Sequence, residues 1–440
     1  MTPDPTPDAQ PARTTPLSTF LIARFIAMTA QQIQSFAVAY HLYAITHQPI
    51  ALGLVGLAQF LPMILLVLPA GDWADRYPRR WILTIAGSLQ VLCGALFLFF
   101  TVNEVTATWP YYVTLAIFGT ARAIGAPSMQ SAVPLLVTKD QLPRAVALSS
   151  SAFQTAVIVG PALGGMIYII GASVAFAVCM ALSFIVTLIY FNLKLREIVR
   201  ADVPVSSFDR LFAGIVYIRN KPAILGAISL DLFAVLLGSA TALLPIFATD
   251  ILHVGATGMG FMQSAPAVGA TAMAFYLAKF PISRNAGLKM FAGVIVFGLS
   301  IIVFGLSKNF VLSLFALAVL GASDMISIQV RTTFIQLATP DAMRGRVSAV
   351  NMLFINASNE LGDFESGFMA AWLTAVPAVI VGGIGTMAVA ALWYFLFPGL
   401  RRIDKLTDVE PTDGEAPEPA LMEGDVASPS SSLPPPAKPV

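Results

Sequence analysis

Twelve apolar runs, each about twenty residues long or longer, restrict this chain to a narrow set of folds. A helix of that length crosses a hydrocarbon core about 30 Å thick, whereas the strands of a membrane barrel are shorter and alternate in polarity. Hydrophobic residues make up 57% of the chain and charged residues 11%, against about a quarter charged in soluble domains. We therefore predict an all-α polytopic membrane protein. The runs lie at 17–46, 50–70, 80–101, 110–137, 144–169, 171–193, 223–251, 257–279, 288–306, 309–338, 346–371 and 375–398.

The polar segments between and beyond the runs predict the domain organisation. Residues 1–16 are rich in Pro and Thr and residues 399–440 are rich in Pro and Glu, which is typical of disordered tails. The longest internal polar stretch, 194–222, separates six runs from six and predicts a linker that includes an amphipathic surface helix. The two bundles are expected at 17–193 and 223–398.

Basic residues orient the chain. Of the 25 Lys and Arg, 21 fall on one side when the N-terminus is placed in the cytoplasm, and only Lys308 falls on the other. Arg24, Arg122 and Arg331 lie within runs. This asymmetry follows the positive-inside rule and predicts that both termini are cytoplasmic. The net charge of +1 argues against a nucleic-acid partner.

Three short matches between the two halves indicate an internal duplication. Their offsets are 204, 201 and 202 residues, which is nearly constant. Two six-helix repeats around a midplane site are the architecture of many secondary transporters. The matches are 56-GLAQFLP-62 with 260-GFMQSAP-266, 138-TKD-140 with 339-TPD-341, and 160-GPALGG-165 with 362-GDFESG-367.

The charged bend after the second run resembles the loop 2–3 signature of the major facilitator superfamily, with Pro78 in place of the usual Gly. Arg122, followed by Gly125, resembles the fourth-helix signature, although its Gln is missing and the spacing is one residue short. The loop residues are Gly71, Asp75, Arg76, Arg79 and Arg80.

The run 160-GPALGG-165 resembles the fifth-helix signature of the exporting, antiporter branch of that superfamily, carried by Gly160, Pro161, Gly164 and Gly165. Within the branch, the sequence looks most like the bacterial group that contains the enterobactin exporter and macrolide-efflux-type proteins. The resemblance covers about residues 17–400. It implies twelve transmembrane helices in two pseudo-symmetric halves, with helices one, four, seven and ten lining a central cavity. The small residues suit a bent, closely packed helix where the halves meet.

Charged side chains inside the runs are the candidate transport residues, because a charge at the bilayer centre costs roughly 2.5–3.5 kcal/mol on insertion scales. Asp324 is the first candidate for proton coupling and Asp231 the second. Since Arg331 lies two turns from Asp324, we expect each to have another partner. The alternative is a static Asp–Arg pair that joins two helices. The charged residues are Arg24, Arg122, Asp231, Asp324, Arg331, Glu360, Asp363 and Glu365.

Glu360 and Asp363 share a helix face near the outer mouth, where we weigh proton coupling against plain hydrogen bonding between helices. Polar side chains in the first run are expected to line the cavity with the arginines, and these are Gln31, Gln32 and Gln34.

The loop 2–3 charges are interpreted as a conformational latch. Asp75 would hold the start of the eleventh helix, near Arg344–Val347, because a helix N-terminus carries about half a positive charge. Arg79 or Arg80 would pair with an acid near the end of the fourth helix, for which Asp140 is the nearest candidate.

The predicted function is proton-coupled export of an amphipathic, drug- or siderophore-like small molecule by alternating access. No Walker sequence or catalytic constellation is present, so neither an enzyme nor an ATP-driven pump is expected, and no cofactor or metal is implied. The expected partners are the substrate, protons and the lipid bilayer, with the protein a monomer. The alternatives are an uptake permease, a lipid or lysolipid flippase, and a non-transporting membrane scaffold.

Overall fold

The computed structural model describes residues 16–195 and 207–406, apart from the side chains at 67, 68, 75 and 207–210. The tails therefore lie mostly outside the description, as does part of the linker. Four short 3-10 or π-helical turns join the longer elements, at Val133–Leu135, Lys139–Gln141, Ala240–Leu243 and Phe247–Ile251. The α-helices are α1 (Leu17–Thr46), α2 (Pro49–Arg76), α3 (Arg79–Val102), α4 (Trp109–Ala132), α5 (Leu142–Tyr168), α6 (Ala172–Phe191), α7 (Ser207–Arg219), α8 (Pro222–Leu237), α9 (Leu244–Ile246), α10 (Gly255–Lys279), α11 (Ala286–Leu306), α12 (Phe310–Ala338), α13 (Asp341–Leu373), α14 (Ala375–Leu396) and α15 (Pro398–Arg401).

The predicted all-α fold is confirmed, and the described residues contain no strand. Eight helical segments in the described ranges are long and apolar enough to span a membrane: α2, α3, α5, α6, α11, α12, α14, and α8 with the turns that follow it. The other four long helices, α1, α4, α10 and α13, are at least 24 residues long. They are rich in Gln, Gly or charged residues, which lowers their hydropathy. The predicted number of twelve crossing helices is consistent with this arrangement.

The helices pack as two groups. In the first, α3 packs on α4 and α6, α2 on α4, and α1 on α5 and α6; in the second, α12 packs on α10 and α11, α11 on α14, and α8 on α13 and α14. Two long contacts join the groups, α2 with α13 and α5 with α10. Each group has its own buried apolar cluster, with Phe20 and Leu83 in the first and Phe291 and Phe334 in the second.

Proline marks both the starts and the bends of these helices. A proline at the first or second position opens α2, α4, α5 and α8, where its missing N–H costs no helical hydrogen bond. Pro161 in α5 and Pro266 in α10 lie inside their helices, where each removes one backbone donor.

The predicted helix in the linker is α7. It packs against the beginning of α13, where a Cβ added to Gly214 would lie 2.8 Å from the carbonyl oxygen of Arg346. On the other side, Phe212 is 70% exposed. A helix with one face on protein and one apolar face outward suits a position at a membrane surface.

Candidate functional site

The ends of the bundle provide the frame for the site. We call the end at which α1 begins the inner end and the opposite one the outer end. Tyr43, near the outer end of α1, donates a short hydrogen bond to Asp250 in the turn after α9, which ties the first group of helices to the second there. His41 precedes Tyr43 by two residues on α1. Its Nδ1 lies 3.0 Å from the hydroxyl of Tyr168 and its Nε2 lies 3.2 Å from that of Tyr111.

The contact between α5 and α10 closes one side of the outer end through small residues. A Cβ on Gly165 would lie 2.5 Å from the carbonyl oxygen of Ala256, and one on Gly260 would lie 2.5 Å from that of Pro161. Real Cβ atoms do not approach backbone this closely, so glycine is required for these helices to touch. The contact continues inward to Gln154, whose Nε2 donates to the hydroxyl of Thr271 at 2.9 Å.

The other small residues of the predicted fifth-helix pattern face α1 in their own half. A Cβ on Gly160 would lie 2.5 Å from Cβ of Gln32, and one on Gly164 would lie 3.0 Å from the ring of Phe36. The pattern therefore serves two contacts, one within the first half and one between the halves.

The contact between α2 and α13 closes the opposite side of the outer end. A Cβ on Gly367 would lie 2.5 Å from Cα of Gly53, and one on Gly56 would lie 2.8 Å from the carbonyl oxygen of Glu360 and 2.9 Å from Cβ of Asp363. The helices are as close here as α5 and α10 are, but acidic side chains stand at the contact.

These acids belong to a polar network that joins the two halves. Nη1 of Arg122, on α4, donates to Oε1 of Glu360 at 3.1 Å and to Oε1 of Gln59 at 3.0 Å. The side chain of Glu360 is 12% exposed and that of Arg122 is 37% exposed. Asp363 accepts a short hydrogen bond from Ser239, which follows α8. Charge-assisted hydrogen bonds of this kind are about twice as strong as neutral ones.

A cavity of about 270 Å³ lies on the inner side of this network. Its walls come from α1, α3, α4, α5 and α6, with Met352 and Asn356 of α13 across from them. Along α4 the lining continues from Arg122 toward the inner end, through Met129 and Gln130. The cavity thus lies between the polar network and the inner end of the first half.

The arginines of the first half meet this cavity, whereas the carboxylates of the second half lie elsewhere. Arg24 and Arg122 both line it. Asp231 forms an ion pair with Arg331 inside the second half, where their side chains are 8% and 2% exposed. The expectation that Arg331 has a partner other than Asp324 is thus met. Asp324 and Asp231 line a separate space of about 10 Å³ between α8, α11 and α12, at the lower limit for a single water.

The three predicted glutamines of α1 point in different directions. Gln31 lines the cavity, Gln32 lies against Gly160, and Gln34 is 1% exposed with its Nε2 buried. Successive residues on a helix are about 100° apart, so a run of neighbouring glutamines cannot face one cavity.

The loop between α2 and α3 contacts the end of α4 through Arg79. Nε of Arg79 donates to the hydroxyl of Ser131 at 2.7 Å, and Arg80 lies over the ring of Trp81 at 4.7 Å. Asp140, the predicted partner, is exposed in its turn. Arg76 is exposed and Gly71 half-buried, and the side chain of Asp75 lies outside the description. The start of α13 contacts α7, and Arg344 pairs with Asp341 one turn away at 2.7 Å.

Several site residues were not predicted as such from the sequence. Gln59 is the neutral acceptor for Arg122. The available signal was that the repeat match 56–62 shares this Gln with the second half. No sequence pattern indicated a role for Ser239, Tyr43 or Asp250, because their hydrogen-bond partners are more than a hundred residues away along the chain. Within the described ranges, no three His, Cys, Asp or Glu residues are grouped closely enough to hold a metal ion.

Known proteins resemble this chain over most of its length. The profile of the transmembrane secretion effector family matches residues 7–426. The enterobactin exporter EntS of Citrobacter koseri is 26% identical over 390 residues, which are 87% of this chain and 91% of that protein. The enterobactin exporter EntS of Escherichia coli O1:K1 is 25% identical over the same length and the same shares.

Solved structures of transporters share the fold. A bacterial homologue of the human lysosomal transporter Spinster, inward-facing and occupied, superposes with a TM-score of 0.69 at 13% identity and covers 90% of this chain and 98% of that one. A D-xylose–proton symporter gives 0.68 at 11% identity, covering 88% and 99%. The nucleoside transporter NupG gives 0.64 at 15% identity, covering 87% and 98%.

Proposed function

The chain belongs to the transmembrane secretion effector family of the major facilitator superfamily, and on that premise we propose that it exports an amphipathic small molecule in exchange for protons. It is a multi-pass membrane transporter and not an enzyme. The observation that carries the proposal is the polar network of Arg122, Glu360 and Gln59, which stands between the closed outer end and the inner cavity.

Alternating access requires this network to break. For the outer end to open, α13 must move away from α2 and α4, and Glu360 must then leave Arg122. A proton on Glu360 removes its negative charge and with it most of its attraction to Arg122. Once it has left Arg122 in the outer-open state, Glu360 takes up a proton from the outer side. After the outer end closes, Arg122 displaces that proton to the inner side, and the restored ion pair holds the outer end closed.

Glu360 and Asp363 are accordingly our preferred coupling groups, ahead of Asp324 and Asp231. Both lie on α13, the helix that must move away from α2 and α4 when the outer end opens. The charges that face Glu360 are Arg122 from α4 and Asp363 from its own helix, while α2 presents the neutral Gln59. Asp231 is held by Arg331 within one half, which suits a pair that moves as a unit.

The substrate is proposed to be siderophore-like, because the relatives that align with 87% of the chain are named as enterobactin exporters. The cavity of about 270 Å³ is near the lower end of the usual range for small-molecule sites, roughly 300–1,000 Å³. Helix movement during closure changes that volume.

We further propose a monomer in the bacterial cytoplasmic membrane, with both termini in the cytoplasm and bundles at 17–193 and 223–398. The distribution of Lys and Arg supports this orientation. The inner end defined above is then cytoplasmic. The latch formed by Asp75 also stays a prediction: in an inward-facing arrangement it is released, and it engages only when the inner end closes.

The direct test is proton movement in inside-out membrane vesicles whose lumen has been acidified. With enterobactin as the probe, export moves the probe into the lumen and protons out, so a lumenal pH-sensitive dye reports alkalinisation. Alkalinisation that depends on the protein and on the probe supports antiport. Probe uptake without proton movement would point to a uniporter, and probe release from preloaded vesicles down the proton gradient would point to uptake.

The same assay separates the candidate carboxylates. We expect the double variant Asp231→Asn with Asp324→Asn to retain proton movement if it folds, and Glu360→Gln to lose it. The reverse result would return the coupling role to Asp324.

A further inference from the structure

The charge of the inner cavity, which the first half lines with only Met352 and Asn356 added from the second, is one-sided. Among the described residues that line it, Arg24 and Arg122 are charged, and no carboxylate is present. An arginine in a membrane span is expensive unless an anion or a polar surrounding compensates it. Nε of Arg24 is buried and has no hydrogen-bond partner within the described ranges. The cavity therefore has a cation that no acid within residues 16–195 and 207–406 balances.

Arg122 also has hydrogen-bond donors that its two partners do not use. A guanidinium group carries five N–H donors, and the two bonds to Glu360 and Gln59 both come from Nη1. More than a third of the side chain is exposed, and it lines the cavity. A ligand in the cavity can thus bind the same guanidinium group that holds Glu360.

The two arginines stand at different depths. The contact of His41 with Tyr111 fixes α1 and α4 at one level near the outer end. Counting 1.5 Å per residue from there, Arg24 lies about 9 Å closer to the inner end than Arg122. A ligand that enters from the inner side meets Arg24 first and Arg122 deeper in.

The remaining lining is soft and amphipathic. Amide groups such as Gln90 and Gln130 offer hydrogen bonds to polar substituents. Thioethers adapt to irregular apolar ligands, and three of them line the cavity: Met28, Met129 and Met352.

We infer that the cavity binds an amphipathic anion, captured by Arg24 and passed to Arg122, where it competes with Glu360. An anion on Arg122 releases Glu360, and the tie between α4 and α13 is lost. Loading of the inner cavity therefore loosens the outer contact. This inference deepens the export function proposed above and rests on it for the direction of movement only.

The charge of the cavity is measured without any transport. Purified full-length protein in a neutral detergent carries Met28→Cys in the cavity; Cys93 and Cys179 are both fully buried and serve as silent background. The rates of modification by anionic sulfonatoethyl and cationic trimethylammonioethyl methanethiosulfonate are compared. Ala107→Cys, on the exposed outer loop, is the reference.

Relative to that reference, the anionic reagent should react about tenfold faster at Met28→Cys than the cationic one, since the two differ by two charges near a guanidinium group. Arg24→Gln should remove the preference and Arg24→Lys should keep it. Equal rates at Met28→Cys, or a preference that Arg24→Gln leaves unchanged, overturn the role of Arg24.

Ligand charge and competition are tested on the same protein. Naphthoate should slow modification of Met28→Cys more than naphthalene carboxamide, its uncharged counterpart, and more than naphthylmethylammonium. Glu360→Gln should strengthen naphthoate protection several-fold, because the neutral amide competes more weakly for Arg122 than the carboxylate does. Asp404→Asn, which breaks the surface pair with Arg284 at 3.8 Å, is the matched carboxylate control and should change nothing.

Naphthoate protection no better than that by the carboxamide overturns the anion assignment. Protection that Glu360→Gln leaves unchanged overturns the competition. Both tests measure modification rates of purified protein in detergent, without transport, so either failure is distinct from failure of proton exchange in vesicles.

Discussion

The contact between α5 and α10 and the contact between α2 and α13 occupy equivalent positions in the two halves. Gly260 meets Pro161 in the first, and Gly56 meets Asp363 in the second; the repeat offsets of 204 and 202 relate these residues pairwise. Gly165 against Thr257, whose Cα would lie 3.2 Å from an added Cβ, and Gly367 against Gly53 are related in the same way. Steric closeness is common to both contacts, but only the contact of α2 with α13 is charged.

The difference indicates which positions of the two repeats were free to diverge after duplication. Close helix approach needs small residues on both sides and has been kept twice. Where α5 has Pro161, α13 has Asp363, and where α2 offers Gln59 to an arginine, the equivalent Gln263 of α10 has a buried oxygen without a partner in the described ranges. We interpret the α5–α10 contact as a passive seal and the α2–α13 contact as the one that senses protons and substrate.

The largest expected effect comes from an ion pair that lies in neither contact. Asp231→Asn leaves the guanidinium of Arg331 buried without its counter-charge, which costs about 3–5 kcal/mol when one partner of such a pair is removed. We expect a large fall in the thermal stability of the purified protein. Asp231→Leu with Arg331→Met should recover most of it, because apolar replacement of both partners is often neutral.

The double variant Asp231→Leu with Arg331→Met also tests the comparison between the two contacts. If the rescued double variant still exchanges protons, charge inside one half is structural, and the charged contact between halves keeps the coupling role. Loss of proton exchange in a stable double variant would contradict the assignment of coupling to α13.

The next effect tests whether the two contacts are sterically alike. Gly260→Ala and Gly56→Ala each place a Cβ within 2.8 Å of a carbonyl oxygen, and overpacking costs about 1–3 kcal/mol, or roughly 5- to 150-fold in an equilibrium. Both should shift the protein toward outer-open states, seen as faster modification of cysteines placed along the outer ends of the helices.

Gly345→Ala is the matched control, because a Cβ there meets nothing within 4 Å. Alanine favours helix over glycine by about 1 kcal/mol, so lost helix propensity cannot explain opening. If only one of the two contact variants opens the outer end, the contacts are not equivalent and the comparison fails.

A third prediction separates the contacts by chemistry. Glu360→Gln keeps a hydrogen-bond acceptor for Arg122 but cannot take up a proton. We expect downhill movement of the probe to persist and probe-driven alkalinisation of inside-out vesicles to fall to background. Ile158→Gln, the equivalent change in α5 by the repeat offset of 202, should leave proton exchange intact. Proton exchange by Glu360→Gln protein would remove the distinction between the two contacts.

The sequence predicts the helices and the small residues that both contacts share better than it predicts the charges that distinguish them. Apolar runs give the number and placement of the long helices, because spanning a bilayer fixes their length, and the spacing of Gly160, Gly164 and Gly165 gives the small face of α5. The repeat aligns Arg122 with the region of Asp324, yet Arg122 pairs with Glu360, 238 residues away. Which charges meet depends on helix rotation and on the relative position of the halves, and no local pattern encodes either.

The smallest expected effect concerns a third tie at the outer end, between Tyr43 and Asp250. Tyr43→Phe removes one hydrogen bond to a carboxylate, worth about 1.5–3 kcal/mol at most, but an outer position lets water replace much of it. We expect a shift of only a few-fold toward outer-open states, measured by the same cysteine accessibility, with proton exchange preserved. Tyr112→Phe is the control, since its hydroxyl contacts Ala51 within one half at 3.4 Å. An effect of Tyr43→Phe as large as that of Gly260→Ala would mean that the outer end is held by hydrogen bonds as much as by close packing, and the α5–α10 contact would then no longer be the principal seal.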